Sequence, residues 1–173
     1  MRTFLLISLI FFILPAITSA QKIDSLFMDA AIKKLRHSKE YTLEVANLMP
    51  ESKYSFKPSQ EEMNFGDQVF HIASNLGWLS ASYLKSTKSP ISKLELPNKK
   101  ELIATLITAY DFSIAILEHF DRNQLADTVT FFAGPMTKLQ IVNLINDHQT
   151  HHRAQLLVYL RLNGIKPPAY VGW

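Results

Sequence analysis

Three of the six histidines fall in one run, Asn146-Asp147-His148-Gln149-Thr150-His151-His152-Arg153-Ala154-Gln155. Imidazole can ligate divalent ions, move protons near neutral pH, and needs a polar partner when buried. His148 and His152 are four residues apart. On a helix that spacing puts two side chains one above the other on one face, where both can reach a single divalent ion. A lone inward histidine is ordinarily a hydrogen-bonded core residue. Two on one core line must both find polar partners away from water, so metal ligation and a hydrogen-bonded network are both open readings. HxxxH is short and has many chance matches, and the spacing alone does not choose between them.

The helix that must carry these rings has clear ends. Thr137 with Gln140 three residues later is a capping-box start, and Asn163-Gly164 followed by Pro167 is a stop. About 26 residues lie between, roughly 39 Å of helix at 1.5 Å per residue. Turning about 100° per residue from His148, the residues Ile141, Leu144, Ile145, Leu156, Tyr159 and Leu162 cluster about 17° away. His152 lies about 23° from that centre and His151 about 77°, at the edge of the stripe. The pair expected to face inward is therefore His148 and His152.

Three further helices are legible. Apolar residues at mixed three and four spacing run from Lys22 to Met49 and stop before Pro50. Asn64 caps a second helix from Phe65 to about Lys85, with Asp67 in its first turn. Phe65, Val69, Ile72, Leu76, Leu79 and Tyr83 form its core face. His71, Asn75 and Trp78 form a second line, about a third of a turn away, so periodicity does not assign His71 to the core. Asn98 and Glu101 open a third helix that reaches about Phe120. Asp127 to Phe132 has strand-like content without an evident partner strand, and is expected as an extended segment lying across the helices. The aromatic tail ending at Trp173 is expected to fold back on the domain. Four amphipathic helices with modest links give an all-α four-helix bundle whose connection order is open from pattern alone. His37, among Lys34, Arg36 and Lys39, reads as a surface residue. His119 suits the end of the third helix.

The first 20 residues read as a secretory leader. Arg2 supplies the positive charge, Phe4 to Leu14 is an apolar run, and Thr18-Ser19-Ala20 precedes a cut after Ala20. The run is short for a membrane span, and an uncleaved N-terminal anchor is the competing reading. The expectation is an exported protein, periplasmic or secreted, with no stable membrane span after cleavage. Residues 21–173 form one domain by length. A balance of 18 Lys+Arg against 15 Asp+Glu gives +3, a small excess without an arginine-rich stripe, so nucleic acid is not an expected partner. There are no cysteines. That excludes a lipidated cysteine, a disulfide framework, a thiol nucleophile and a thiolate metal site, and leaves histidine with carboxylate or water for any ion.

At the level of motifs the chain resembles a known family. Pro58 followed by Met63-Asn64-Phe65-Gly66-Asp67-Gln68-Val69-Phe70-His71-Ile72-Ala73 is similar to the second-helix motif of the DinB/YfiT-like proteins. His148-Gln149-Thr150-His151-His152-Arg153-Ala154-Gln155-Leu156, then Tyr159-Leu160-Arg161 and Gly164, is similar to the fourth-helix motif. The resemblance covers nearly the whole chain after the leader. One departure is Ala154, where glycine is commoner, a change that bears on helix packing more than on ligation. The resemblance implies a four-helix bundle with a long crossover connection, a homodimer in many members, and a divalent ion held by His71, His148 and His152. His151 then becomes a residue at the edge of the site.

Three neutral imidazoles leave ion positions open to water or substrate, and such a site lowers the pKa of bound water toward about 7 or polarises a carbonyl. Asp67, one turn before His71, and Gln155, about one turn after His152, are candidates to hydrogen-bond the ligand rings. No HExxH, Glu-x-x-His pair or serine-nucleophile motif is present, so a standard zincin, a di-iron bundle and a serine hydrolase are not supported. The expected function is a metal-dependent hydrolase or transferase acting on a small-molecule substrate that the sequence does not name. Some relatives are thiol-dependent S-transferases, which fits poorly with export because small thiols are mainly cytoplasmic reductants. The alternative is a bundle that binds metal without catalysis, or one whose histidines are purely structural. Imidazole suits zinc, nickel and iron alike, so the ion is not identified.

Overall fold

The computed structural model describes residues 22–95 and 97–172 in full. Its elements in chain order are α1 (Arg2–Leu48), α2 (Phe65–Leu79), α3 (Lys99–Glu118), β1 (Thr128–Val129), β2 (Met136–Thr137) and α4 (Lys138–Leu162). The leader proposed over residues 1–20, with its cut site, lies outside the described residues. Among the described residues no helix is long and apolar enough to cross a membrane.

Local chemistry sets the starts of α2, α3 and α4 where the sequence placed them. Asn64 Oδ1 accepts from the Asp67 backbone N–H at 2.8 Å and opens α2. Asn98 with Glu101, and Thr137 with Gln140, form complete capping boxes on α3 and α4. The last turn of the second helix, Ser80–Lys85, widens to a π-helical turn. Ser86 then takes the left-handed conformation, φ 51°, and ends it. Gly164, φ 72°, ends α4 in the conformation that costs glycine least.

The packing order follows from which residues meet. α1 and α2 each lie between α3 and α4. α4 runs parallel to α1, since Asn146 bonds Ala31, Gln149 bonds Ser38 and Arg153 bonds Thr42. It runs antiparallel to α2, since His71 meets His148, Gln68 meets His152 and the Tyr159 hydroxyl donates to Met63 O. α3 is parallel to α2, with Gly66 near Leu102 and Ser80 bonded to Ser113. Two neighbouring parallel helices need a connection along the length of the bundle, and residues 86–98 supply this crossover, the long connection the resemblance implies. It lies close on α2: a Cβ at Gly77 would meet Ser89 Oγ at 2.5 Å and Ile91 Cγ1 at 2.8 Å. Only glycine allows that approach.

The core sits between the four helices and includes Leu35, Phe65, Ile72, Leu106, Tyr110 and Ile145, each at most 1% exposed. Burying a side chain of that size stabilises the fold by about 1.5–3 kcal/mol. Ile165 and Val171 of the tail pack on this core, and Tyr170 sets its ring edge-on to Tyr41 at 6.2 Å. Trp173 lies outside the described residues.

Two expectations are corrected. The segment around Thr128 does have a partner strand: Thr128 pairs with Thr137 and Val129 with Met136 in an antiparallel two-residue ladder. The partner was hidden because it directly precedes α4, where the capping box dominates the pattern. Leu162, counted in the inward stripe of α4, is 58% exposed, on the last turn of the helix.

Candidate metal centre

Helix geometry, not loop geometry, places the three rings. Capping at Asn64 fixes the register of α2, so Gln68 and His71 project toward α4 one turn apart. α4, crossing antiparallel, presents His148 and His152 at the same height. His71 Nε2 and His148 Nε2 stand 3.2 Å apart. Ring centroids are 4.4 Å apart for His71 and His152, and 4.5 Å for His148 and His152. One nitrogen from each ring lies within 4.8 Å of the other two. Two nitrogens bound to one tetrahedral ion at about 2.0–2.1 Å are about 3.3 Å apart, so the His71–His148 separation already suits a shared ion.

The tautomer of His152 follows from its neighbours. Its Nδ1 faces Gln68 Oε1 at 2.7 Å and Gln155 Oε1 at 2.9 Å. Both oxygens only accept, so Nδ1 donates and the lone pair sits on Nε2. This is the outer arrangement that orients an imidazole for ligation. Protonation is also disfavoured. Burial, and then the charges of the neighbouring rings, push His148 down to about 4. Burial first, then His71, hold His152 down to about 4. Burial lowers His71 as well. All three are therefore neutral at pH 7, the form that binds metal.

The structure brings His71, His148 and His152 together and sorts the other candidates. His152 is buried, whereas His71 and His148 are half-exposed on the face where α2 meets α4. His151 is exposed, its ring set edge-on to His152 at 4.9 Å. Gln155 contacts the site as described. Asp67 accepts instead from the Asn64 side chain at 2.6 Å and closes the α2 cap. His119 bonds Ala115 O at 2.9 Å on the last turn of α3, and His37 is half-exposed on α1. A cleft of about 700 Å³ lined by Leu84, Phe112 and His119 contains none of the three histidines.

Gln68 is the residue the sequence reading missed. The signal was present: Gln68 falls three residues after Phe65 and four before Ile72, on the apolar stripe of α2, and is 0% exposed. A glutamine in a core position needs polar partners: its Oε1 accepts from His152, and its Nε2 has none among the described residues.

The DinB family profile matches residues 25–172. The chain belongs to the DinB family. Among curated relatives, this DinB chain is 26% identical to the uncharacterised protein YjoA of Bacillus subtilis over 126 residues, covering 71% of this chain and 82% of YjoA. It is 18% identical to the uncharacterised protein YrdA of the same organism over 147 residues, 84% of this chain and 88% of that one. Of solved structures, a DinB-like protein from Bacillus cereus superposes with a TM-score of 0.72 at 18% identity, over 82% of this chain and 96% of that chain. The crystal structure of YjoA gives 0.69 at 23% identity with the same coverage. The DinB fold expected from the two motifs is the fold observed.

Proposed function

We propose that His71, His148 and His152 hold one divalent ion, and that the protein is a metal-dependent hydrolase- or transferase-type enzyme acting on a small molecule at the α2–α4 face. The observation that carries this reading is the convergence of three neutral imidazole nitrogens within 4.8 Å, one of them with its tautomer set by Gln68 and Gln155. A divalent ion held this way supplies Lewis-acid chemistry, polarising a bound oxygen. The chain's own contribution is orientation. α2 and α4 fix the ring positions, the two glutamines hold His152, and the half-exposed edges of His71 and His148 leave the site open to solvent.

Export belongs to the same proposal: cleavage after Ala20 would leave residues 21–173 as the working protein. N-terminal sequencing of the protein recovered outside the cytoplasm should begin at Gln21. Metal analysis of the purified 21–173 chain tests the site. About one equivalent of divalent ion is expected, and none in the His148→Ala, His152→Ala double variant. Equal metal in both would reject the assignment.

A further inference from the structure

The line His71, Asn75, Trp78 on α2 has one use in the metal reading, its first residue. Trp78 lies two turns from His71, about 10.5 Å along the helix and only about 20° around it. All three residues are half-exposed, as are His148 and Leu144 opposite them on α4. The half-exposed strip that starts at the histidines therefore continues toward Trp78. There the loop between β1 and β2 brings Phe132 over the indole, with centroids 6.4 Å apart and planes inclined by 28°. Tyr83 and Phe131 complete the cluster, at 5.4 and 5.9 Å from Trp78. Phe131 is buried and anchors the loop, while Phe132 is 84% exposed. A large exposed ring at a loop tip, stacked on a half-exposed indole, is a platform on which a further flat apolar group can lie. Between the two ends, Asn75 Oδ1 is buried without a hydrogen-bond partner among the described residues. Such an acceptor is an open demand for an N–H or O–H donor.

We propose that Trp78 and Phe132 form a substrate subsite for an aromatic or other planar apolar group. The substrate class is then a molecule with a metal-seeking polar head, a flat apolar end about two helical turns away, and a hydrogen-bond donor between them that meets Asn75. The subsite rests on the metal reading above, because the head group is defined by the ion.

The test uses the zinc-loaded 21–173 protein and two hydroxamate probes, acetohydroxamate and ω-phenylhexanohydroxamate, with affinities read by calorimetry and tryptophan fluorescence. The phenyl probe should bind at least about tenfold more tightly than the short one, the effect of burying one ring. Phe132→Ala, a change at an exposed position that leaves the core intact, should remove most of that gain. Metal content and acetohydroxamate affinity should not change. Trp78→Leu should remove the rest. An amide N–H placed in the middle of the linker should tighten binding to the wild type and not to Asn75→Ala. Equal affinity of the two probes for a metal-loaded wild type overturns the subsite and leaves the metal centre standing. So does an undiminished gain in both Phe132→Ala and Trp78→Leu. A wild type that dimerises through this patch and becomes monomeric as Phe132→Ala also overturns it, since a second copy would then be the occupant. A wild type that takes up no metal and binds neither probe removes both proposals together.

Discussion

α4 carries two polar clusters into the bundle, on opposite sides, and they are built differently. Toward α1 and α3 it presents Gln149 and Arg153, 0% and 3% exposed. There Gln149 Oε1 accepts from Tyr110 and Arg153, and Gln149 Nε2 donates to Ser38 Oγ and Asn146 O. Thr42 joins Tyr110 at 2.8 Å, and Tyr41 lies under the Arg153 guanidinium at 4.9 Å. Donors meet acceptors around Gln149 and Arg153, and of this cluster only the neighbouring Asn146 Oδ1 is left without a partner among the described residues. Toward α2 the helix presents His148 and His152. Gln68 and Gln155 occupy one nitrogen of His152 there, and one nitrogen from each of His71, His148 and His152 gathers within 4.8 Å. A closed cluster is what a fold needs from buried polar groups. The open one can be closed in two ways: by a proton between His71 Nε2 and His148 Nε2, 3.2 Å apart, or by a cation among the three rings. The contrast separates a structural network from a site on one helix, where residue type and burial alone do not.

Several changes would break or sharpen that contrast. The largest effect is on metal: the His148→Ala, His152→Ala variant should lose at least about a thousandfold in zinc affinity, while its metal-free stability falls by about 1–3 kcal/mol by urea unfolding, the cost of leaving buried Gln68 Oε1 without His152. Gln149→Ala should spare the metal. It removes the acceptor that Tyr110 and Arg153 share and leaves them only threonine hydroxyls, so unfolding stability should drop by about 3 kcal/mol with zinc affinity of the folded protein unchanged. A loss of metal binding in this variant at temperatures where it is folded would mean the two clusters are one network. Gln68→Leu is intermediate. Gln155 still holds His152 Nδ1, so competition titration with a chelator should show a loss of about tenfold.

The smallest effect concerns pH. Unfolded, His148 and His152 titrate near their ordinary value of 6.5, whereas in the fold both are held down to about 4. Between those values the unfolded chain binds more protons. Metal-free stability should therefore be highest above pH 6.5 and fall as pH drops toward about 4. Urea midpoints across this range should show the decline in the parent and a shallower one in the double histidine variant. The Gln149–Arg153 side holds no group that titrates there and should add nothing.

Much of this was legible in the sequence because it depends on local rules. Capping boxes at Asn98 and Thr137, the break before Pro50 and the 3.6-residue period placed all four helices. The i, i+4 spacing put His148 and His152 on one face. What was not legible is what depends on the neighbours of a helix. His71 lay off the core stripe of α2, and only the motif resemblance raised it; it meets His148 because α4 crosses at that height. Gln68, Gln149 and Arg153 read as polar residues on amphipathic helices, yet they are buried because each α-helix here touches two others, which widens its buried face. The β1–β2 ladder escaped notice because two residues are too few for a period of two to show.

The central claim is that one ion is shared by residues of two antiparallel helices. Diffraction from crystals of the 21–173 protein grown with zinc, recorded at the zinc absorption edge, tests it most directly. One strong anomalous peak is expected within about 2.0–2.3 Å of a ring nitrogen of each of His71, His148 and His152. A peak bound elsewhere on the chain, or three rings with no ion between them at saturating zinc, would contradict it.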